Sequence, residues 1–394
     1  MGVKKINGGV EDFINKFVRA RGGDSTGLDA AVVAVIPIEA TGGTTSDYTD
    51  PGPGKNYRAH IFLASGAFVV TKDAENPTPN NVEYLVVAGG GGGAGSYQGG
   101  GGGAGGLRTN LAGHPLSTNN PAFPVSTTGG NGSGSYTVTI GAGGNGATVH
   151  STAGLSGVDS YFGPPSTPAG ITAKGGGGAG GFNGSGVPGG SGGGAGDAYP
   201  AASTTTGGYG YNPSTPAPVL SPVPLSHPYT ITQGNNGGSN TGTYGSPYVA
   251  GGGGGAGGNG LGSDGGNVQS YEGNGGIGSQ VLIAGPSSHP GVGAPGPNGQ
   301  EQWYAGGGGG GGYAGPAPQT SGDGGAGPAT NTPNSGWSGG GPGGPNGTGT
   351  AGPGVHGGTN TGGGGGGGVS PANPYVADGG NGGKGIVIIR YQRG

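Results

Sequence analysis

Few residues in this chain could do chemistry. Thirteen Lys and Arg, seventeen Asp and Glu and six His are spread over 394 positions, and Cys is absent. Disulfides, thiolate metal sites and thiol catalysis are therefore excluded. The histidines stand singly; His114, His227 and His289 each precede proline, where the backbone is held extended, and no spacing among the six makes a metal box. Asp264, Asp323 and Asp378 recur in the element Asp-Gly-Gly. They lack the Gly-Gly-x-Gly-x-Asp register of calcium-binding repeats and read as caps on turn N–H groups. A phosphate loop needs Ser or Thr after Gly-Lys, but Lys55 is followed by Asn56 and Lys384 by Gly385. The glycine fingerprint of dinucleotide sites arises here by chance alone. Six Glu and eleven Asp scattered over loops and the N-terminal segment give no convergent acids, so the expectation is no enzyme, no catalytic residue, no cofactor and no metal. A formal charge of −4 and a pI near 5.8 leave no footprint for nucleic acid or anionic membrane.

Recognition is the chemistry that remains. Segments 197–250, 286–304, 313–338 and 369–378 are rich in Tyr, Ser, Thr, Asn and Pro. Surfaces that bind through rigid aromatic anchors and adaptable polar contacts have that composition. Tyr199, Tyr209, Tyr211, Tyr229, Tyr244, Trp303, Tyr304, Tyr313, Trp337 and Tyr375 are the candidate receptor contacts, able to stack on sugar rings or pack on an outer-membrane protein. The alternative for each is to cap the body or fill gaps between copies.

What must position them is mostly glycine. Glycine supplies 116 residues and proline 33. Collagen fails as an explanation, because the seven-glycine runs 306–312 and 362–368 break a Gly-X-Y register. Disorder is disfavoured by compact strand-like blocks and by 17 Tyr and 7 Phe. The remaining solution is a bundle of extended, three-fold strands that bond to one another through their backbones, an approach only glycine permits. Glycine runs at 86–95, 172–181, 248–258, 304–312 and 359–368 alternate with irregular loops and shorter glycine returns, which predicts an up-and-down arrangement.

Flanking blocks predict regular elements. Val10, Phe13, Ile14, Phe17 and Val18 fall at helical spacing, placing a short amphipathic helix over 10–20 with Gly22 and Gly23 beyond it. AAVVAVIPIEA reads as a strand over 30–38, interrupted by Pro37, that packs within the chain or pairs with another one. A linker spans 41–56. HIFLAS and AFVVTK predict a hairpin over 60–72, followed by strands in 82–88, 136–144 and 385–392. YLVV and IVII are apolar at every position, so they are expected side by side with both faces covered. The expected fold class is mostly irregular and β: a small antiparallel scaffold (57–88, 136–144, 385–392) enclosing a polyglycine II bundle, behind a leader (1–56) that carries a short N-terminal α-helix. The glycine-rich domain would cover 57–394. The start of the chain lacks the apolar stretch of a secretory signal, Ile6 breaks a myristoylation pattern, and no apolar run reaches a membrane span.

FLASGAFVV, VEYLVVAGGGGGAG, GGGGGAGGLR, YTVTIGAGGNG, DSYFG before ITAKGGGGAGG, and the closing GGNGGKGIVIIRY follow in that order over 57–394. Together they resemble the glycine-rich domain of virion proteins from marine and cyanobacterial phages and of some bacterial surface proteins. The expected bundle is also similar in architecture to the polyglycine-helix adhesin at the tip of some T-even tail fibres. The resemblance implies a virion structural protein, tail fibre or tip adhesin, that leaves the cell inside an assembled particle and displays its loops on the particle surface. Its implied partners are other virion proteins or copies of itself, reached through the leader, and a host surface glycan or outer-membrane protein. Phe13, Ile14, Phe17, Val18, Val32, Val33, Val35 and Ile36 are the assembly candidates. The competing expectation is a purely structural fibre or capsid-decorating subunit that polymerises through its N-terminal strand.

Overall fold

In the computed structural model the described residues are 36–50, 54–75, 80–95, 97–117, 123–164, 170–197, 204–211, 233–240, 248–262, 273–286, 291–313, 322–325, 336–344, 352–370 and 377–393. The chain divides into two compact units at Val35/Ile36. The helix expected at 10–20 and most of the strand expected at 30–38 lie outside the described residues.

Blocks of β-branched and aromatic residues pair into two antiparallel sheets. The first has the order β2 (Thr44–Thr49), β3 (Asn56–Phe62), β15 (Ile386–Gln392), β5 (Asn81–Val87), β6 (Leu107–Thr109), with β7 (Phe123–Pro124) also on β5. The second runs β1 (Glu39–Thr41), β4 (Gly66–Lys72), β8 (Ser135–Thr139), β9 (Ser160–Gly163), β10 (Ile171–Ala173). Two short pairs complete the set: β11 (Tyr248–Val249) with β14 (Gly312–Tyr313), and β12 (Ser279–Gln280) with β13 (Trp303–Tyr304).

The sheets face each other over one core. Alternate residues of the first sheet (Phe62, Val82, Tyr84, Val86, Val387, Ile389, Tyr391) meet Phe68, Val70, Tyr136, Val138 and Phe162 of the second. The other face of the first sheet (Ala59, Ile61, Leu85, Val87, Leu107, Ile386, Ile388) packs on Val281, Ile283, Tyr304 and Ala305. Both faces of β5 and β15 are thus covered, and the two strands pair antiparallel from Val87↔Ile386 onward, which explains their unbroken apolar sequence. Arg390, 4% exposed, is the charged exception. Its Nε bonds Glu83 at 2.5 Å, its Nη1 the Tyr48 hydroxyl at 2.8 Å, and its guanidinium sits 4.2 Å over the Tyr57 ring.

Two expectations are corrected here. The linker proposed for 41–56 contains β2, paired with β3 from Thr44↔Ile61 to Thr49↔Asn56. The hairpin proposed for 60–72 does not form: β3 lies between β2 and β15, while β4 pairs with β1 and β8 in the other sheet. The turn at 63–65 is an arch across the sandwich, because Phe62 and Phe68 both enter the same core from opposite sides.

The expected fold class is overturned as well. The described residues contain no helix, and their regular secondary structure is antiparallel sheet throughout. Rather than forming a separate polyglycine II bundle on a small scaffold, the glycine segments prolong the sheets. The β5–β15 register carries on as Gly90 N–H to Gly383 O (2.9 Å) and Gly93 N–H to Gly380 O (2.8 Å). The β5–β6 register carries on through Gly91 to Gly103 and Ala94 to Gly100. In the second sheet, β8–β9 continues through Val158 to Ala142 and Leu155 to Asn145, and β9–β10 through Gly157 to Gly176 and Gly154 to Ala179.

Where side chains end, the two layers close on each other and bond directly. Segment 88–95 donates in turn to 100–106, 152–158 and 380–383, each partner recurring every third residue, and accepts from 144–147, 176–179 and 365–368. A Cβ on Gly93 would stand 1.9 Å from Gly366 O, and one on Gly102 2.1 Å from Gly91 O. At the margin, only Gly154 and Gly157 of segment 152–158 point inward, while Leu155 and Val158 are 61% and 54% exposed.

Two outcomes are expected. Gly93→Ala should lower stability by at least about 3 kcal/mol, because backbone must move to admit the methyl group, whereas Leu155→Ala should shift it by less than about 0.5 kcal/mol; thermal denaturation of both variants checks the contrast. The second outcome concerns His60, which is fully buried with its ring 5.2 Å from Phe68 and 5.6 Å from Tyr391. Its Nδ1–H donates to Gly42 O at 2.7 Å. Burial holds its pKa below the usual histidine value. The neutral ring therefore favours the fold above the ordinary histidine range, and that contribution is lost as pH falls. His60 should make stability drop by up to about 1.4 kcal/mol per pH unit below about 6.5, and the slope should be reduced in His60→Gln when denaturation is followed from pH 7 to 5, the remainder including His114, whose pKa burial also lowers.

Candidate functional site

The second face of the first sheet positions a set of short segments at the ends of glycine runs. β12 and β13 pair as Ser279↔Tyr304 and Gln280↔Trp303. On its other side Trp303 exchanges backbone bonds with Ala294, at 2.9 and 3.1 Å. The next residue, Pro295, accepts the Ser338 N–H at 2.9 Å, and Ala305 N–H reaches Thr361 O at 2.8 Å. Segments 279–286, 291–296, 301–305, 336–340 and 358–361 are thereby tied into one patch.

This patch holds a cleft lined by Ala284, Pro286, Val292, Ala294 and Pro295 and by the polar Glu301 and Gln302. The Gln302 amide braces it: Nε2 donates to Gly285 O, and Oε1 accepts the Ala284 N–H at 3.2 Å. Four of the seven described non-glycine residues with positive φ lie here, namely Gln302 (56°), Ala305 (58°), Ser338 (53°) and Asn360 (60°). Each costs of order 1 kcal/mol, and such strain gathers where a fold is over-determined or a site is built. Asn360 Oδ1, Ser338 Oγ and the indole nitrogens of Trp303 and Trp337 are enclosed without a hydrogen-bond partner among the described residues.

The candidate aromatic contacts do not form one surface. Trp303 and Trp337 are half-buried and flank the Ala294–Pro295 strip. Tyr209 is 40% exposed, and Tyr211 is half-buried with its N–H bonded to Gly189 and Gly190 at 3.0 Å, on a different part of the body. Tyr313 pairs with Tyr248 through the backbone. Tyr199, Tyr229, Tyr244 and Tyr375 lie outside the described residues. Tyr304 is corrected: it is fully buried, and burial pushes its phenol pKa far up. In a strand, adjacent residues face opposite ways, so Trp303 and Tyr304 cannot both look outward. Among the assembly candidates, Ile36 is half-buried and bridges Glu75 within the chain, its carbonyl accepting the Glu75 N–H at 3.1 Å. Phe13, Ile14, Phe17, Val18, Val32, Val33 and Val35 lie outside the described residues. The turn-cap reading fails for Asp378, whose exposed side chain lies on a segment bonded to its neighbours, with its carbonyl accepting the Gly354 N–H at 2.8 Å.

Gln302, Ser338 and Asn360 escaped the sequence analysis because a single polar residue carries no spacing signal. The available cue was their position: each stands a few residues before a glycine run, in QWYAGGG, WSGGG and TNTGGG.

A body bonded chiefly through its backbone, with side chains reserved for a sandwich core and for run ends, defines a class of glycine-rich β proteins. The chain belongs to the glycine-rich domain family, whose model matches residues 63–392. No curated protein matches it significantly.

The contrast between the two tyrosines is testable. Tyr304→Ala should cost about 3–5 kcal/mol through the cavity it leaves, and Tyr209→Ala should stay within about 0.5 kcal/mol, both read from denaturant midpoints.

Proposed function

We propose that this chain is a structural protein of a phage virion, a tail-fibre or tip adhesin that presents Tyr-, Ser- and Asn-rich segments to a host surface. Residues 1–35 would attach it to other virion proteins or to copies of itself, and the other partner would be a host glycan or outer-membrane protein. The observation that carries the reading is the division of material: glycine is spent on a backbone-bonded body, as in segment 88–95, while both tryptophans stand together beside a cleft at run ends. A rigid frame of this kind lowers the entropic cost of binding by holding its contacts in place. The reading needs no catalytic step, cofactor, nucleic acid or membrane insertion.

The second reading is a purely structural subunit polymerising through its N-terminal strand over 30–38, whose described end, Ile36, bridges Glu75 within the chain.

The expected outcome is that purified full-length protein adsorbs to host cells drawn from a panel of marine bacteria and cyanobacteria, and that exchanging segment 197–250 with that of a related protein changes which cells are bound. Adsorption that is absent throughout, or indifferent to the exchange, removes the adhesin reading. Deletion of 1–35, which spares β1, should leave a folded body that no longer joins the particle; retained incorporation would refute the attachment role.

A further inference from the structure

We infer that the cleft between Ala284–Pro286, Gly291–Pro295 and Glu301–Gln302 binds one neutral pyranose unit of a glycan. The inference rests on the adhesin reading for the source of that glycan, and on the cleft alone for its chemistry. A pyranose has an apolar face of C–H groups and a rim of hydroxyls. The cleft offers both kinds of group: Pro286, Val292 and Pro295 supply apolar lining, and Glu301 and Gln302 supply polar lining. Glu301 is exposed, so its carboxylate is free to accept hydroxyl hydrogens at the rim. The Gln302 side chain is spoken for by Ala284 and Gly285 and acts as a brace.

Unsatisfied polar groups stand directly behind the lining. Asn360 is only 7% exposed, its Oδ1 has no partner among the described residues, and its amide nitrogen would lie 3.2 Å from a Cβ on Gly291. Ser338 is fully buried with an unpartnered Oγ, next to the Pro295 carbonyl that its own N–H meets at 2.9 Å. A buried polar group left unpaired costs about 1–3 kcal/mol, which hydroxyls of a ligand would recover. Gly291 and Gly293, with φ of 82° and 69°, hold a conformation that favours glycine, and the missing side chain at Gly291 keeps the strip thin where it lies against the Asn360 amide. Glu301 is the one charged residue among the described lining residues, so uronic or phosphorylated sugars are disfavoured.

Trp303 and Trp337 are the only two tryptophans in the chain, so intrinsic tryptophan emission reports on this patch. Full-length protein is titrated with the methyl glycosides of glucose, galactose, mannose and N-acetylglucosamine, and with glucuronate, while saturation-transfer NMR detects binding that leaves emission unchanged. The expected result is saturable binding of at least one neutral sugar and none of glucuronate. Asn360→Gly, which keeps the positive φ and removes the amide, should weaken binding at least 10-fold. Should that variant fold poorly, the exposed Glu301→Ala serves instead, with an expected loss of at least 3-fold. No neutral sugar bound by either method, equal binding of glucuronate, or unchanged affinity in a folded variant would overturn the inference. Cell adsorption that persists while sugars fail to bind removes the cleft and spares the adhesin reading; sugar binding without cell adsorption does the reverse.

Discussion

The structure depends on one contact, a backbone N–H on one glycine segment meeting a carbonyl on another at a separation that leaves no room for a Cβ. In an ordinary sandwich, side chains hold facing sheets about 10 Å apart, roughly twice the spacing between hydrogen-bonded strands. Here that holds only while Phe68, Phe162, Val86 and Val387 lie between the layers. Beyond Val87 and Ile386 the side chains stop, and Gly89 N–H of one layer reaches Val158 O of the other at 3.0 Å. Hydrophobic core gives way to hydrogen bonds without a change of topology, because the strand registers run on unbroken.

Register is what makes this affordable in entropy. Fixing a glycine costs about 1–2 kcal/mol, and a hydrogen bond returns about 1 kcal/mol net, so the runs gain little by ordering alone. The strands anchor them. β5 leads straight into 88–95 and 377–385 leads straight into β15, so pairing Val87 with Ile386 already aligns Gly90 with Gly383. Leu85, Leu107 and Ile388 pack against Ala104 and Ala256 of the runs themselves, which ties the greasy and the side-chain-free parts into a single cooperative unit.

This dependence decides what the sequence reveals. Strongly apolar blocks such as YLVV and IVII announce both their strand character and their pairing, since only a strand covered on two faces tolerates them. Glycine density is legible too, once it is read as the number of buried sides: segment 88–95 is entirely Gly and Ala and bonds to neighbours all round, whereas TAGLSGV in 152–158 keeps glycine at every third place and turns Leu155 and Val158 to water. Topology is not legible at that level. Leu63, Ala64 and Ser65 between β3 and β4 fit a hairpin turn and a sheet-crossing arch equally well, and only the prior occupation of both sides of β3 by β2 and β15 decides between them. The cleft is hidden for a related reason, since Gln302, Ser338 and Asn360 are far apart in the chain and are assembled by bonds such as Ser338 N–H to Pro295 O.

A body built this way separates two demands that compete in most proteins. In a conventional core, a surface change that shifts a strand is felt by packed side chains at the level of a single methylene. Here the interior of the glycine layer presents mostly backbone, with alanine methyl groups at a few steps, and the chain leaves it only at run ends. The segments between runs can therefore change length and composition with little effect on register, provided that the three-residue repeat resumes in phase. The strained residues mark where that freedom stops. Gln302, Ala305, Ser338 and Asn360 hold φ values of 53–60° at places where runs meet the first sheet, and Gln302 and Asn360 sit at or behind the cleft wall. Variation at run ends is cheap wherever no such residue stands, and two of these four costly positions, Gln302 in the lining and Asn360 behind Gly291, bear on the cleft.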